Sequence, residues 1–257
     1  MIPKIIHYCW LSNEPLPQKI QDYISHWKQV MPDYVIKKWD TTNFDISTSK
    51  WVSDAFAKKK WAFCADYIRA YALFTEGGFY LDSDVIVNEN FDRFLNCGFV
   101  SSIEYFSKFK TEIQKSVNPD FSRNPNYTQV YGLGIQAAII GSEKGHFFPG
   151  LLLDYYKNNS FIKEDGSLNL LPAPAIYSLL LEKYGFKYKD EKQVLNNDIH
   201  IFDSSVFASY PSCTFSSVAI HMMAGSWVDV KPTDSFFEKI KKSILVRKVL
   251  NSLNFFN

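Results

Sequence analysis

Residues 62–85 read AFCADYIRAYALFTEGGFYLDSDV, and they limit what this chain can fold into more than any other stretch. Trp61 to Thr75 is apolar almost all round, which predicts a buried helix. Within it Asp66 and Arg69 stand three apart and share a face. Glu76-Gly77-Gly78 predicts the helix end, because glycine takes backbone angles that other residues resist. Phe79-Tyr80-Leu81 predicts a short buried strand running into Asp82-Ser83-Asp84, and Val85-Ile86-Val87 is expected to resume it. In extended chain, residues i and i+2 point the same way. Both carboxylates then face one spot and repel each other unless a cation bridges them. Oxygen ligands suit Mg²⁺ or Mn²⁺.

The flanking sequence predicts an α/β domain. Lys4 to Trp10 is β-rich and ends in a polar loop, Pro15 and Pro17 open a helix, and Ile20, Tyr23, Ile24 and Trp27 fall on one face of it. Met31-Pro32-Asp33 stops that helix, and Tyr34 to Trp39 reads as a second strand ending at Asp40. Strand, helix, strand is the rhythm of a parallel sheet, and ligands gather at the carboxyl edge of such sheets. Lys50 to Lys59 predicts a further helix. For Asp66 and Arg69 two readings stand: a salt bridge that locks the helix, or a pair facing a bound sugar. In the second, the carboxylate accepts from hydroxyls and the guanidinium forks onto hydroxyl or phosphate oxygens.

Composition narrows the classes. A formal net charge of +1 argues against a general nucleic-acid binder. Cys9, Cys64, Cys97 and Cys213 are widely spaced with no CxxC pair, so free thiols in a reducing compartment are expected rather than a zinc cluster or disulfide framework. The first residues, MIPKIIHYCW, hold no run long enough for a signal peptide, and no stretch approaches a membrane span. The expected location is cytoplasmic.

Three ordered motifs, PKIIHYCW, FCADYIRAYALFTEGGFYLDSDV and AIHMMAGSW, resemble the DXD-containing sugar-transferase family. That family takes in bacterial capsular and lipopolysaccharide transferases, yeast initiating mannosyltransferases and, distantly, the glucosylating domains of clostridial toxins. The resemblance covers residues 2–90 well and 200–228 in outline. It implies a GT-A fold, a single nucleotide-binding, Rossmann-like α/β domain with a mixed central sheet and helical additions, together with a Mn²⁺-dependent (or Mg²⁺-dependent) nucleotide-sugar donor and retention of configuration. Carried over, it implies that Trp10 stacks on the base and Asp40 lies near base or ribose. Asp66 and Arg69 bind the donor sugar, Tyr80 and Ser83 line the donor site, and Asp82 touches ribose, sugar or metal. Asp84 is the firmest metal ligand and His221 a third, and Ser226 and Trp227 close over the diphosphate. Ala65 departs from the pattern, since many relatives carry serine before the aspartate, and this leaves the sugar open.

Residues 88–135 read as an insertion shaping the acceptor side or as a lid held by its own aromatics, among them Tyr105, Phe106, Phe109, Phe121, Tyr127 and Tyr131. Gln136, a polar side chain entering a buried run, is either a residue beside the reacting carbon or a glutamine satisfied by backbone. His146 to Tyr156 and Pro172 to about Tyr184 predict helices, and Ile199 to Phe207 a late strand and turn. Residues 1–230 form the expected catalytic domain. Residues 231–257 form a basic amphipathic helix, either peripheral to an anionic membrane or docked on the domain. The expected reaction moves a sugar from a nucleotide-sugar, UDP-hexose or UDP-N-acetylhexosamine, to a hydroxyl of a growing surface glycan or lipid-linked oligosaccharide. The alternatives are a metal-dependent phosphohydrolase, which would need further acids, and a non-catalytic glycan-binding module, which would not need Asp66, Arg69, Asp82 and Asp84 together.

Overall fold

A computed structural model describes residues 1–12, 14–210 and 212–223. The chain opens with strand β1 (Ile5–Cys9), helix α1 (Gln18–Val30) and strand β2 (Val35–Trp39). Pro17 caps the start of α1, which buries Tyr23 and Trp27 and ends where Met31 precedes Pro32. Then come α2 (Lys50–Ala57), α3 (Trp61–Glu76), β3 (Gly78–Leu81), β4 (Val85–Val87), β5 (Phe99–Tyr105) and α4 (Lys110–Ser116). The remainder is β6 (Leu133–Ile135), β7 (Ile139–Ser142), α5 (Phe147–Asn158), α6 (Ala173–Leu181), β8 (Gln193–Leu195), β9 (Ile199–Phe202), β10 (Phe207–Ser209) and β11 (Ala219–His221).

The large sheet runs β2-β1-β3-β7-β5-β9-β8, with β6 on β5. β1 is parallel to β2 and β3. β7 is antiparallel to both β3 and β5, and β9 is parallel to β5. Strands β2, β1, β3, β5 and β9 therefore all end at one edge, with only β7 reversed between them. A small second sheet, β10-β11-β4, packs beside it. The mixed central sheet with helical additions expected from the sequence is present.

Alternation along β3 divides the core. Phe79 and Leu81 join a cluster with Ile6, Trp27, Phe91 and Phe207 on one face, while Tyr80 joins Ile68, Leu73, Phe148 and Tyr177 on the other. Helix α3 buries nine of its residues, Asp66 and Arg69 among them, as its all-round apolar sequence requires. The Gly77-Gly78 break is held from below. Trp39 donates to His7 Nδ1 at 3.0 Å, which leaves His7 Nε2 to donate to Gly77 O at 2.8 Å. Gly78 sits at φ +105°, and a Cβ there would stand 2.6 Å from Ile5 O. Gly78→Ala is expected to cost about 2–4 kcal/mol from positive φ and the backbone clash together. The midpoint of urea unfolding measures this, and a loss below about 1 kcal/mol would mean the break is not fixed by glycine.

Three local readings are corrected here. Residues 88–135 are not an insertion throughout, because Phe99–Tyr105 forms a central strand of the large sheet and Leu133–Ile135 pairs with it. Val85–Val87 does not resume β3 but pairs antiparallel with β11 in the small sheet. Asp82-Ser83-Asp84 is a turn rather than extended chain, with Val85 N donating to Asp82 O at 3.1 Å. The strand and turn expected at Ile199 to Phe207 are β9 and the turn that leads into β10. Ser226, Trp227 and residues 231–257 lie outside the described residues.

Candidate active site

The carboxyl ends of β1, β2 and β3 lie side by side. Cys9 is opposite Trp39, and Trp10 N donates to Trp39 O at 3.0 Å, so Trp10 and Asp40 leave the sheet together. Trp10 is half-buried, its indole N–H donating to Glu14 O at 2.8 Å. The Asp40 carboxylate is engaged by Lys38 at 2.7 Å and by Thr42, which hold its pKa down at about 2. At the end of β3, Asp82 N still donates to Ala138 O, just before β7, at 2.9 Å, and the turn then carries Ser83 and Asp84 beyond the strand. Helix α1 fixes the far side of the turn, since Trp27 Nε1 donates to Val85 O at 2.8 Å.

Asp82, Asp84 and His221 each bring one ligand atom into a group whose members all lie within 4.8 Å of one another. His221 Nε2 is 3.4 Å from Asp84 and 3.9 Å from Asp82, long for charge-assisted bonds. Among the described residues its Nδ1 is buried with no hydrogen-bond partner. Burial alone would lower the His221 pKa, but Asp84, Asp82 and Glu104 outweigh it and raise it to about 9. Burial pushes the Asp82 carboxyl up against the pull of Arg69. Two carboxylate oxygens and one imidazole nitrogen, with carboxylates outnumbering the nearby positive charges, fit a divalent cation of the Mg²⁺ or Mn²⁺ type.

Arg69 ties the helix to this turn. Its guanidinium lies 3.0 Å from Asp66 and 3.0 Å from Asp82, and stacks 4.7 Å above the Tyr80 ring. The salt-bridge reading of Asp66 and Arg69 is therefore realised, and the bridge extends into the DXD turn. Burial raises the Asp66 pKa to about 6 despite Arg69. Arg69 Nε and the hydroxyls of Tyr156 and Tyr177 are buried beside this pair without hydrogen-bond partners among the described residues. Tyr80 is 1% exposed and backs Arg69, with its hydroxyl beside Cys9 and Asp82.

Gln136 is fully buried. Its amide nitrogen donates to Phe207 O at 3.0 Å and Ser209 Oγ at 3.1 Å, while its oxygen has no partner among the described residues. Sequence reasoning missed Glu104, a half-buried carboxylate at the end of β5. Burial pushes its pKa up to about 7, with His221 and Ser209 pulling it down. The signal was present, since alternation along FVSSIEY places Glu104 on the face of Val100 and Ser102.

The carboxyl edge of the sheet thus brings together three groups that could hold a metal ion, with a buried arginine beside them. The sequence profile of the glycosyltransferase sugar-binding region containing DXD motif matches residues 17–99, which span α1 through the DXD turn. Residues 17–99, about a third of the chain, are thus similar to the sugar-binding region of DXD-containing glycosyltransferases. An uncharacterised glycosyltransferase of Acanthamoeba polyphaga mimivirus is 25% identical over 179 residues, which is 66% of this chain and 60% of that protein. The chain therefore spans about three-fifths of that relative's length. Among solved structures, mouse xyloside xylosyltransferase 1 in its apo form is similar at 12% identity and TM-score 0.46, covering 84% of this chain and 96% of that one. The galactosyltransferase LgtC in complex with donor and acceptor sugar analogs is similar at 12% identity and TM-score 0.42, covering 97% and 99%. Among the described residues no helix is long and apolar enough to cross a membrane.

Proposed function

We propose that the protein is a retaining, metal-dependent glycosyltransferase that moves a hexose or N-acetylhexosamine from a UDP-sugar to a hydroxyl of a growing surface glycan. The observation that carries this reading is the convergence of Asp82, Asp84 and His221 at the carboxyl edge of the sheet, inside and opposite the matched DXD region. In this reading Trp10 stacks on the base, Asp40 approaches base or ribose, and Asp66 and Arg69 receive the donor sugar. Ser83 stands at the rim of the donor site, and Gln136 supports it from behind Ser209. Ser226 and Trp227 are proposed from sequence alone to close over the diphosphate. Asp82, Asp84 and His221 would hold Mn²⁺ or Mg²⁺, which supplies positive charge against the departing diphosphate. Arg69 adds a second positive charge on the same side. The acceptor attacks on the face the diphosphate leaves from, and a departing phosphate oxygen takes its proton. A glycosyl-enzyme adduct trapped by mass spectrometry would overturn that course. The aromatic stretch after β5, where Phe109 and Tyr131 pack at 4.5 Å, is the proposed acceptor side.

The test is a panel of UDP- and GDP-sugars with Mn²⁺ or EDTA. Slow hydrolysis of one donor, dependent on the metal, is expected. Cleavage of generic phosphate esters instead would make the protein a phosphohydrolase. Silence with tight glycan binding would make it a binding module.

A further inference from the structure

Glu104 is held beside the metal group without joining it. The small sheet lies across β5 in step with it: Phe207 N donates to Ser102 Oγ at 3.0 Å, and two residues on Ser209 Oγ donates to Glu104 Oε2 at 3.4 Å. Ser209 is also the register partner of His221. Gln136 fixes this serine from beneath through its buried amide. Glu104 is thus bound into the strand pair that presents His221, and its charge acts on both His221 and Asp82.

The other carboxylates here have cationic partners. Asp66 is paired with Arg69, Asp82 with Arg69 and His221, and Asp84 with His221. Among the described residues Glu104 forms no ion pair, and its hydrogen bond from Ser209 is long. Its place along the sheet edge is as telling. Trp10 and Asp40 lie on the β1–β2 side of Asp82, while Glu104 ends β5, on the opposite side of β3 with β7 between. With the nucleoside on the β1–β2 side and the diphosphate at the metal ligands, the transferred sugar extends toward Glu104.

We infer that Glu104 faces the anomeric carbon of the transferred sugar and stabilises the positive charge that grows there, with Ser209 and Gln136 as positioning residues. This rests on the function proposed above. In the step, the bond from the anomeric carbon to the phosphate oxygen breaks with its electron pair on phosphate. The acceptor oxygen bonds to that carbon, and its proton passes to the departing phosphate oxygen. Glu104 neither gains nor loses a proton, and its negative charge lowers the cost of the cationic carbon. Charge aimed at the transition state changes kcat and leaves ground-state binding alone.

The test uses the full chain with Mn²⁺, water as the acceptor and the UDP- and GDP-sugar panel, with UDP binding measured by calorimetry and folding by thermal unfolding. Glu104→Gln is expected to lower kcat for donor hydrolysis about 100-fold while KM and the Kd for UDP with Mn²⁺ stay within about twofold. Glu104→Asp, which keeps the charge on a shorter arm, should recover part of the loss, and it carries the same kcat-against-KM test if the glutamine variant does not fold. Hydrolysis by Glu104→Gln within about threefold of the wild type would sink the inference. So would a fall in UDP affinity matching the fall in kcat, which would make Glu104 part of the metal site. A wild-type chain that binds UDP or GDP with Mn²⁺ but hydrolyses no donor also overturns it. Failure of the wild type to bind either nucleotide with metal overturns the proposed function itself.

Discussion

If the protein works as proposed, Asp84→Ala is expected to abolish metal-dependent turnover while the fold survives. Asp84 is the carboxylate nearest His221, at 3.4 Å, and belongs to neither hydrophobic cluster, so its removal opens no packed apolar core. Losing one charged donor of three removes the charge that opposes the leaving diphosphate, and the expected fall in kcat is about 1,000-fold. Folding is compared at two pH values because His221 titrates. Its folded pKa is raised from 6.5 to about 9, with burial opposing and Asp84 the largest contribution in favour. In the metal-free protein that pairing stabilises the fold fully below pH 6.5 and is lost as pH rises through about 9. Wild type and variant should therefore differ in thermal stability near neutral pH and converge above about pH 9. An Asp84→Ala protein with full activity in chelator-treated buffer would refute the metal assignment.

What the sequence made legible were features whose cause is local. An all-round apolar run can only be a buried helix, and α3 spans Trp61–Glu76 against the expected Trp61 to Thr75. The Gly77-Gly78 break, the short strand before Asp82 and the strand ending at His221 are local in the same sense. What escaped depends on partners distant in the chain. FVSSIEY does not look like a central strand because two serines and a glutamate interrupt it. Those groups are satisfied across the fold, Ser101 donating to Gln136 O at 2.7 Å and Ser102 accepting from Phe207 N. Val85–Val87 carries the same pattern whether it continues β3 or crosses to a second sheet, and only its pairing with β11 decides. Alternation in FVSSIEY shows which face Glu104 takes, but its neighbours come from β10 and β11, far along the chain.

Arg69→Met is the variant that separates the two readings of the buried pair. Arg69 is 4% exposed and holds Asp66 and Asp82 at 3.0 Å each. Its removal leaves two carboxylates in a poorly solvated place with no guanidinium between them, at an expected cost of about 3–5 kcal/mol. For a chain of this size that lowers the melting temperature by roughly 10 °C. Arg69→Lys should rescue little, because one ammonium cannot fork onto both carboxylates as the guanidinium does. Loss of activity in the single variant would therefore not show whether Arg69 touches the donor or only locks α3 to the DXD turn. The double variant Arg69→Met with Asp66→Asn removes one stranded charge and should recover part of the stability. If Arg69 also meets the donor's phosphates, donor hydrolysis by the double variant stays at least about 100-fold below that of Asp66→Asn alone. Recovery of both stability and turnover would reduce Arg69 to a lock.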